Sequence, residues 1–197
     1  KGDYSGTKTM YYTIVPKVPT SATAVLYGHD DVKFSWSKCT GASGYNVYYK
    51  KSSSSEWIYL DRTTNTYMKK INLNDGIKYD FKVVPYYYTN GTRYVSTSYK
   101  SASCYTLKQV NTPTVSTSGS SVKVKWSNID GESGYQISRS TSKTGTNIVA
   151  TYNTTSGTYK TVSATKGTGY YYKVRAYKTV DGVKVYGPWS NTKYYKR

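Results

Sequence analysis

Side chains for acid–base and metal chemistry are scarce in this sequence. It holds one histidine and ten carboxylates in 197 residues, against 28 Lys and Arg, for a net charge of +18. Nucleophilic catalysis needs a base held beside Ser, Cys or Thr, and glycoside hydrolysis needs paired carboxylates in a cleft. His29 lies in the predicted turn Tyr27-Gly28-His29-Asp30-Asp31, where a solvated loop histidine is the plain reading, and Glu56, Asp61, Asp75 and Asp80 are scattered over strand edges and turns. Two cysteines cannot make a disulfide scaffold. With only two Phe and two Met, one large Phe-rich core is excluded. No run of about 18 apolar residues exists, so no membrane-spanning helix is expected. No glycine-rich phosphate loop sits between a strand and a helix, and no cofactor is implied. Asp130-Gly131-Glu132 could touch a cation but falls short of the six to eight oxygens Ca²⁺ takes.

What is abundant is tyrosine, 26 residues, with four Trp. The chain also repeats itself. Val32-Lys33-Phe34-Ser35-Trp36 returns as Val122-Lys123-Val124-Lys125-Trp126. Gly41-Ala42-Ser43-Gly44-Tyr45-Asn46-Val47 returns as Gly131-Glu132-Ser133-Gly134-Tyr135-Gln136-Ile137 at the same offset of ninety. Tyr79-Asp80-Phe81-Lys82-Val83 matches Tyr170-Tyr171-Tyr172-Lys173-Val174, and Asn90-Gly91 matches Asp181-Gly182, both one residue further on. Landmarks repeated in order at a near-constant spacing mark two homologous units.

Within each unit the apolar period is two. Val32, Phe34 and Trp36 alternate with Lys33 and Ser35, and Tyr79, Phe81 and Val83 alternate with polar neighbours. This is the pattern of half-buried strands, and Asn-Gly and Asp-Gly between such runs predict two-residue hairpins. No stretch of about ten residues carries helical periodicity. Short strands bounded by Gly, Ser, Thr and Asn predict an all-β chain of two sandwiches.

Both units resemble the fibronectin type III family. The likeness rests on Trp36 and Trp126 closing the second strand, on Gly44-Tyr45-x-Val47-x-Tyr49, and on Leu73 followed by Tyr79-x-Phe81-x-Val83, the tyrosine-corner region. The second copy offers Tyr170-x-Tyr172-x-Val174-x-Ala176, but Ala164 stands where Leu73 does and Arg139 where Tyr49 does. The resemblance implies two consecutive seven-stranded β-sandwiches, over 17–108 and 109–197, joined by a short linker from Leu107 to Pro113. Residues 1–16, with Met10-Tyr11-Tyr12-Thr13-Ile14, resemble the closing strand of a bacterial Ig-like repeat. The style of the second unit looks like repeats in surface proteins of Gram-positive bacteria. This implies a slice of a longer modular protein, extracellular or at the cell surface.

Cys39 and Cys104 are expected near opposite poles of the first sandwich, too far apart for the Cα separation of about 7 Å that a disulfide tolerates.

The alternation also assigns a candidate binding face. With Val47 and Tyr49 inward, Tyr48 points out; with Ile58 and Leu60 inward, Trp57 and Tyr59 point out; Lys82 and Tyr86 face out on the neighbouring strand. The expected patch is Tyr48, Trp57, Tyr59, Lys82 and Tyr86, aromatic surface of the kind that stacks on sugars or meets a protein partner. In the second unit Tyr171, Lys173, Arg175 and Tyr177 face out, but Asn147, Val149 and Thr151 stand where Trp57 and Tyr59 would match, so any binding face is assigned to the first unit. The plain alternative is that such Tyr and Lys pairs merely stabilise the sheet surface. Residues 17–108 carry 13 basic and 6 acidic side chains and residues 109–197 carry 13 and 3, spread without a block. Spread charge favours general attraction to anionic polymers over specific nucleic-acid recognition. Two functions follow. One is a non-catalytic spacer and weak adhesion pair whose partners are the other domains of a longer chain. The other is a module binding cell-wall or host polysaccharide, or a surface protein, through the Tyr/Trp patch.

Overall fold

The computed structural model describes Lys8, Thr9 and residues 15–197. The reading of residues 1–16 as a closing strand falls largely outside the described residues. The described chain is all β. The first unit contains β1 (Ala22–Leu26), β2 (Val32–Trp36), β3 (Gly44–Lys51), β4 (Ile58–Thr63), β5 (Tyr67–Lys70), β6 (Lys78–Thr89), β7 (Thr92–Val95) and β8 (Lys100–Tyr105). The second contains β9 (Thr114–Ser118), β10 (Ser121–Lys125), β11 (Gly134–Ser140), β12 (Ile148–Thr154), β13 (Tyr159–Ser163), β14 (Gly169–Val180), β15 (Val183–Tyr186) and β16 (Lys193–Lys196).

Each unit is a sandwich of two antiparallel sheets. In the first, β1-β2-β5 faces β4-β3-β6, with β7 and β8 sharing the far edge of β6. In the second, β9-β10-β13 faces β12-β11-β14, with β15 and β16 sharing the edge of β14. The last strand of the expected seven is thus split in two. In the first unit Ser96 N–H still donates to Pro85 O at 3.0 Å, but Pro85 has no N–H to return, so the ladder breaks there. In the second, Pro188 follows Gly187 at the corresponding break.

The alternation read from the sequence sets the layers. Val32, Phe34 and Trp36 are buried, as are Phe81 and Val83. Both hairpins close on two residues at positive φ, Asn90 (48°) with Gly91 (73°) and Asp181 (49°) with Gly182 (79°), the turn that matches strand twist. One pole of each sandwich is built the same way. Tyr45 OH accepts from Cys39 N–H at 2.9 Å and packs on Trp36; Tyr135 OH accepts from Ile129 N–H at 2.8 Å and packs on Trp126.

The linker is packed rather than free. Leu107 and Val110 are fully buried. Leu107 N–H donates to His29 O at 2.8 Å on one side, and Gln109 Nε2 donates to Trp189 O at 2.6 Å on the other. Gly131, at φ +82°, lies so close to Tyr105 that a Cβ there would sit 2.4 Å from the Tyr105 Cβ.

Candidate cation–aromatic face

The candidate face lies on the outer side of the β4-β3-β6 sheet. Tyr48 is opposite Lys82 across β3 and β6, and opposite Tyr59 across β3 and β4. A β-bulge after Val47 sets this register. The Tyr48 and Tyr59 rings meet edge to face at 5.4 Å. Trp57, just before β4, packs against Tyr99, just before β8, at 6.1 Å. The ammonium of Lys82 sits among these rings, 4.8 Å from the centroid of Tyr48, 4.6 Å from Trp57 and 5.0 Å from Tyr99. Desolvation first, and the neighbouring Lys50 second, draw the Lys82 pKa below the ordinary lysine value. Lys50 also reaches Trp57, at 5.2 Å, but is anchored: it donates to Ser54 O at 2.6 Å and pairs with Asp80 at 3.9 Å. Asp80 is further held by the hydroxyls of Ser52 and Ser103, each at 2.7 Å. Among the described residues Lys82 meets no carboxylate.

Tyr48, Trp57, Tyr59 and Lys82 therefore come together as expected, and Tyr86 does not. It points to the outer side but is only 7% exposed. Its ring lies over Gly44, where a Cβ would come within 2.3 Å of the Tyr86 oxygen, and Arg93 covers it at 5.0 Å. Strand parity gives a side chain's direction and not what is laid across it. Ile58 is a second correction. Expected inward, it is 52% exposed, because β4 is an edge strand that covers the core only with Leu60.

Tyr99 was missed. It sits in the break between β7 and β8, where no alternation applies, and is brought to Lys82 because β8 pairs β6 from Lys78 to Val83. The second unit has a cation–aromatic cluster of its own. There Trp189, from the break between β15 and β16, is the ring beneath two cations, Lys173 at 4.8 Å and Arg175 at 4.3 Å. Arg175 also stacks on Tyr186 at 3.7 Å and donates to Gln136 Oε1 through Nε and Nη2 at 2.9 and 2.6 Å. The Gly-Pro-Trp-Ser run of 187–190 was the available signal. Tyr177, expected outward, is buried over Gly134, as Tyr86 is over Gly44.

His29 lies between two carboxylates, Nδ1 3.5 Å from Asp30 and Nε2 3.7 Å from Asp75. One ring nitrogen of His29 and one oxygen each of Asp30 and Asp75 lie within 4.8 Å of one another, a grouping of partly exposed side chains that is common at surfaces without an ion. Cys39 is buried, Cys104 is half-buried, and both are free thiols. Burial pushes the Cys104 thiol up to about 11, making it a poor nucleophile at neutral pH.

No protein-family model and no curated protein sequence matches the chain. Among solved structures it is similar to a structure named FN3tt mut, at 21% identity and TM-score 0.40, over 48% of this chain and 100% of that one. It is also similar to the FN1-FN3 domains of chicken CNTN1, at 19% identity and TM-score 0.43, over 93% of this chain and 65% of that one. A third is a two-domain fibronectin type III segment from chicken tenascin, at 14% identity and TM-score 0.43, over 93% of this chain and 100% of that one.

Proposed function

We propose that the chain is a non-catalytic, stiff spacer pair with a weakly adhesive surface, part of an extracellular bacterial multidomain protein. Fibronectin type III-like domains commonly serve as structural or binding modules. The observation that carries the spacer reading is the joint. Leu107 and Val110 are buried, and hydrogen bonds hold the linker to His29 in one unit and Trp189 in the other. A linker so packed restricts the angle between sandwiches and holds whatever is attached at one end away from the other. The cation–aromatic face supplies the adhesive element, toward cell-wall or host polysaccharide or a surface protein.

The test is ¹⁵N relaxation. The two units are expected to tumble as one body. Gly131→Ala should release them, since Tyr105 Cβ is next to the backbone and cannot swing aside. Gly41→Ala is the control: Gly41 has a like φ of +78° but, among the described residues, nothing within 4 Å, so backbone strain is what is added and common tumbling should persist. Independent tumbling of the unaltered protein would overturn the spacer reading.

A further inference from the structure

Lys82 is a cation that the described residues frame but do not neutralise. Three rings surround it, Lys50 shares the Trp57 ring with it, and Asp80, two residues before it on β6, is already engaged by Lys50, Ser52 and Ser103. Rings that replace part of the water around an ammonium lower the desolvation an incoming anion must cause, while leaving its charge to be satisfied. Around this charge the open surface is tyrosine: Tyr59 and Tyr99 are each about half exposed, at 51% and 49%.

We propose that the Lys82 centre binds the carboxylate of an acidic sugar in an anionic polysaccharide, with the sugar ring lying along Tyr59 and Tyr99. This rests on the adhesive part of the reading above and not on the stiffness of the joint, so either can fail alone. A sugar fits better than a nucleobase. Bases need open ring faces to stack on, but Trp57, Tyr48 and Tyr99 each have Lys82 over the ring, and Tyr59 abuts Tyr48 edge-on. What remains is a single ammonium with ring edges and two tilted tyrosines, which suits one carboxylate on a C–H-rich ring. A polymer fits better than a monosaccharide, because the basic excess runs through both units, 13 to 6 and then 13 to 3. Diffuse attraction of that kind raises encounter with a polyanion.

The experiment is calorimetric titration of the full chain with polygalacturonate at physiological salt, beside fully methyl-esterified polygalacturonate and oligothymidylate. Saturable binding to polygalacturonate is expected, with little to the ester. Lys82→Met should weaken it about tenfold, the size of a lost charge-assisted contact, and Lys82→Arg should keep most of it. Tyr99→Ala, at an exposed position, should weaken it without disturbing the melt. Lys166→Met removes the same charge from an exposed turn of the second unit and should change affinity less than about twofold. Equal losses in Lys166→Met and Lys82→Met would leave only diffuse attraction and overturn the site. So would undiminished binding of the ester, or no saturable binding. Tighter binding of oligothymidylate, lost in Lys82→Met, would overturn the sugar and assign a nucleic acid.

Discussion

In the first sandwich four rings run through the core: Phe34 lies 5.2 Å from Trp36 and 5.6 Å from Phe81, and Phe81 lies 6.3 Å from Tyr49. In the second, Val124 takes the place of Phe34, Tyr172 that of Phe81 and Arg139 that of Tyr49. The guanidinium of Arg139 stacks on Tyr170 at 4.6 Å and donates to Ser163 O, half in the core and half out. Yet the poles coincide, with Trp–Tyr centroids 5.4 and 5.3 Å apart, and Tyr86 over Gly44 is repeated by Tyr177 over Gly134. The difference teaches that pole, hairpin and Gly–Tyr cover set the frame, while the filling between the sheets tolerates a change from stacked rings to an aliphatic and a cation.

The sharpest way to break the comparison is to remove the filling. Phe34→Ala deletes the ring at the centre of the stack, and should cost about 3–5 kcal/mol. Val124→Ala, at the matching position, should cost about 2 kcal/mol. Calorimetry should then show the first unit melting separately and early in Phe34→Ala. Equal costs would mean that the ring stack adds nothing beyond the volume of an aliphatic side chain.

A finer probe is the tyrosine corner. Tyr79 OH accepts from Asn74 N–H at 3.1 Å, tying the strand start to the chain before it. Tyr170, its counterpart, has no such bond among the described residues and instead carries Arg139 on its face. Tyr79→Phe should therefore cost about 1–2 kcal/mol by orphaning an amide. Tyr170→Phe keeps the ring beneath the guanidinium and should stay within about 0.5 kcal/mol. Urea unfolding of the two variants separates them; the same loss in both would remove the corner as a distinction.

Much of this could be read from the sequence, because a period of two has a direct physical cause in alternating side-chain direction. Val32, Phe34 and Trp36, the two hairpins and the doubling of the chain all follow from it. The cluster of Tyr48, Trp57, Tyr59 and Lys82 was legible for the same reason. Tyr86 and Tyr177 were not, because their burial depends on a glycine across the sheet that leaves room for a ring to lie flat. Tyr99 and Trp189 were not, because each sits where the last strand breaks and parity has no meaning. Ile58 failed because an edge strand beyond a bulge covers the core with only one side chain.

The mildest substitution turns the second core toward the first at a single atom. Tyr172 is fully buried, and its hydroxyl has no hydrogen-bond partner among the described residues, whereas Phe81 at the matching position has no hydroxyl to satisfy. An unpaired buried hydroxyl is unfavourable, so Tyr172→Phe should be neutral or stabilising by up to about 1 kcal/mol at pH 7. Its larger signature is at high pH. Burial pushes the Tyr172 pKa up to about 12, above the value of about 10 for an unfolded tyrosine. A folded pKa raised above the unfolded one means that the contribution is whole below about pH 10 and is lost as pH climbs through about 12. Tyr135, raised to about 12 mainly by burial, adds a second loss over the same window. Cys104, raised to about 11 by burial, starts its own loss about a unit lower, so the protein should weaken from about pH 9 upward, and Tyr172→Phe should remove one of the two tyrosine losses while Tyr135 keeps the other. Denaturant midpoints at pH 7 and near pH 11 measure it. An alkaline loss undiminished in Tyr172→Phe would mean that the second core opens to water around this ring before the hydroxyl ionises, and that its filling is looser than the stacked rings of the first.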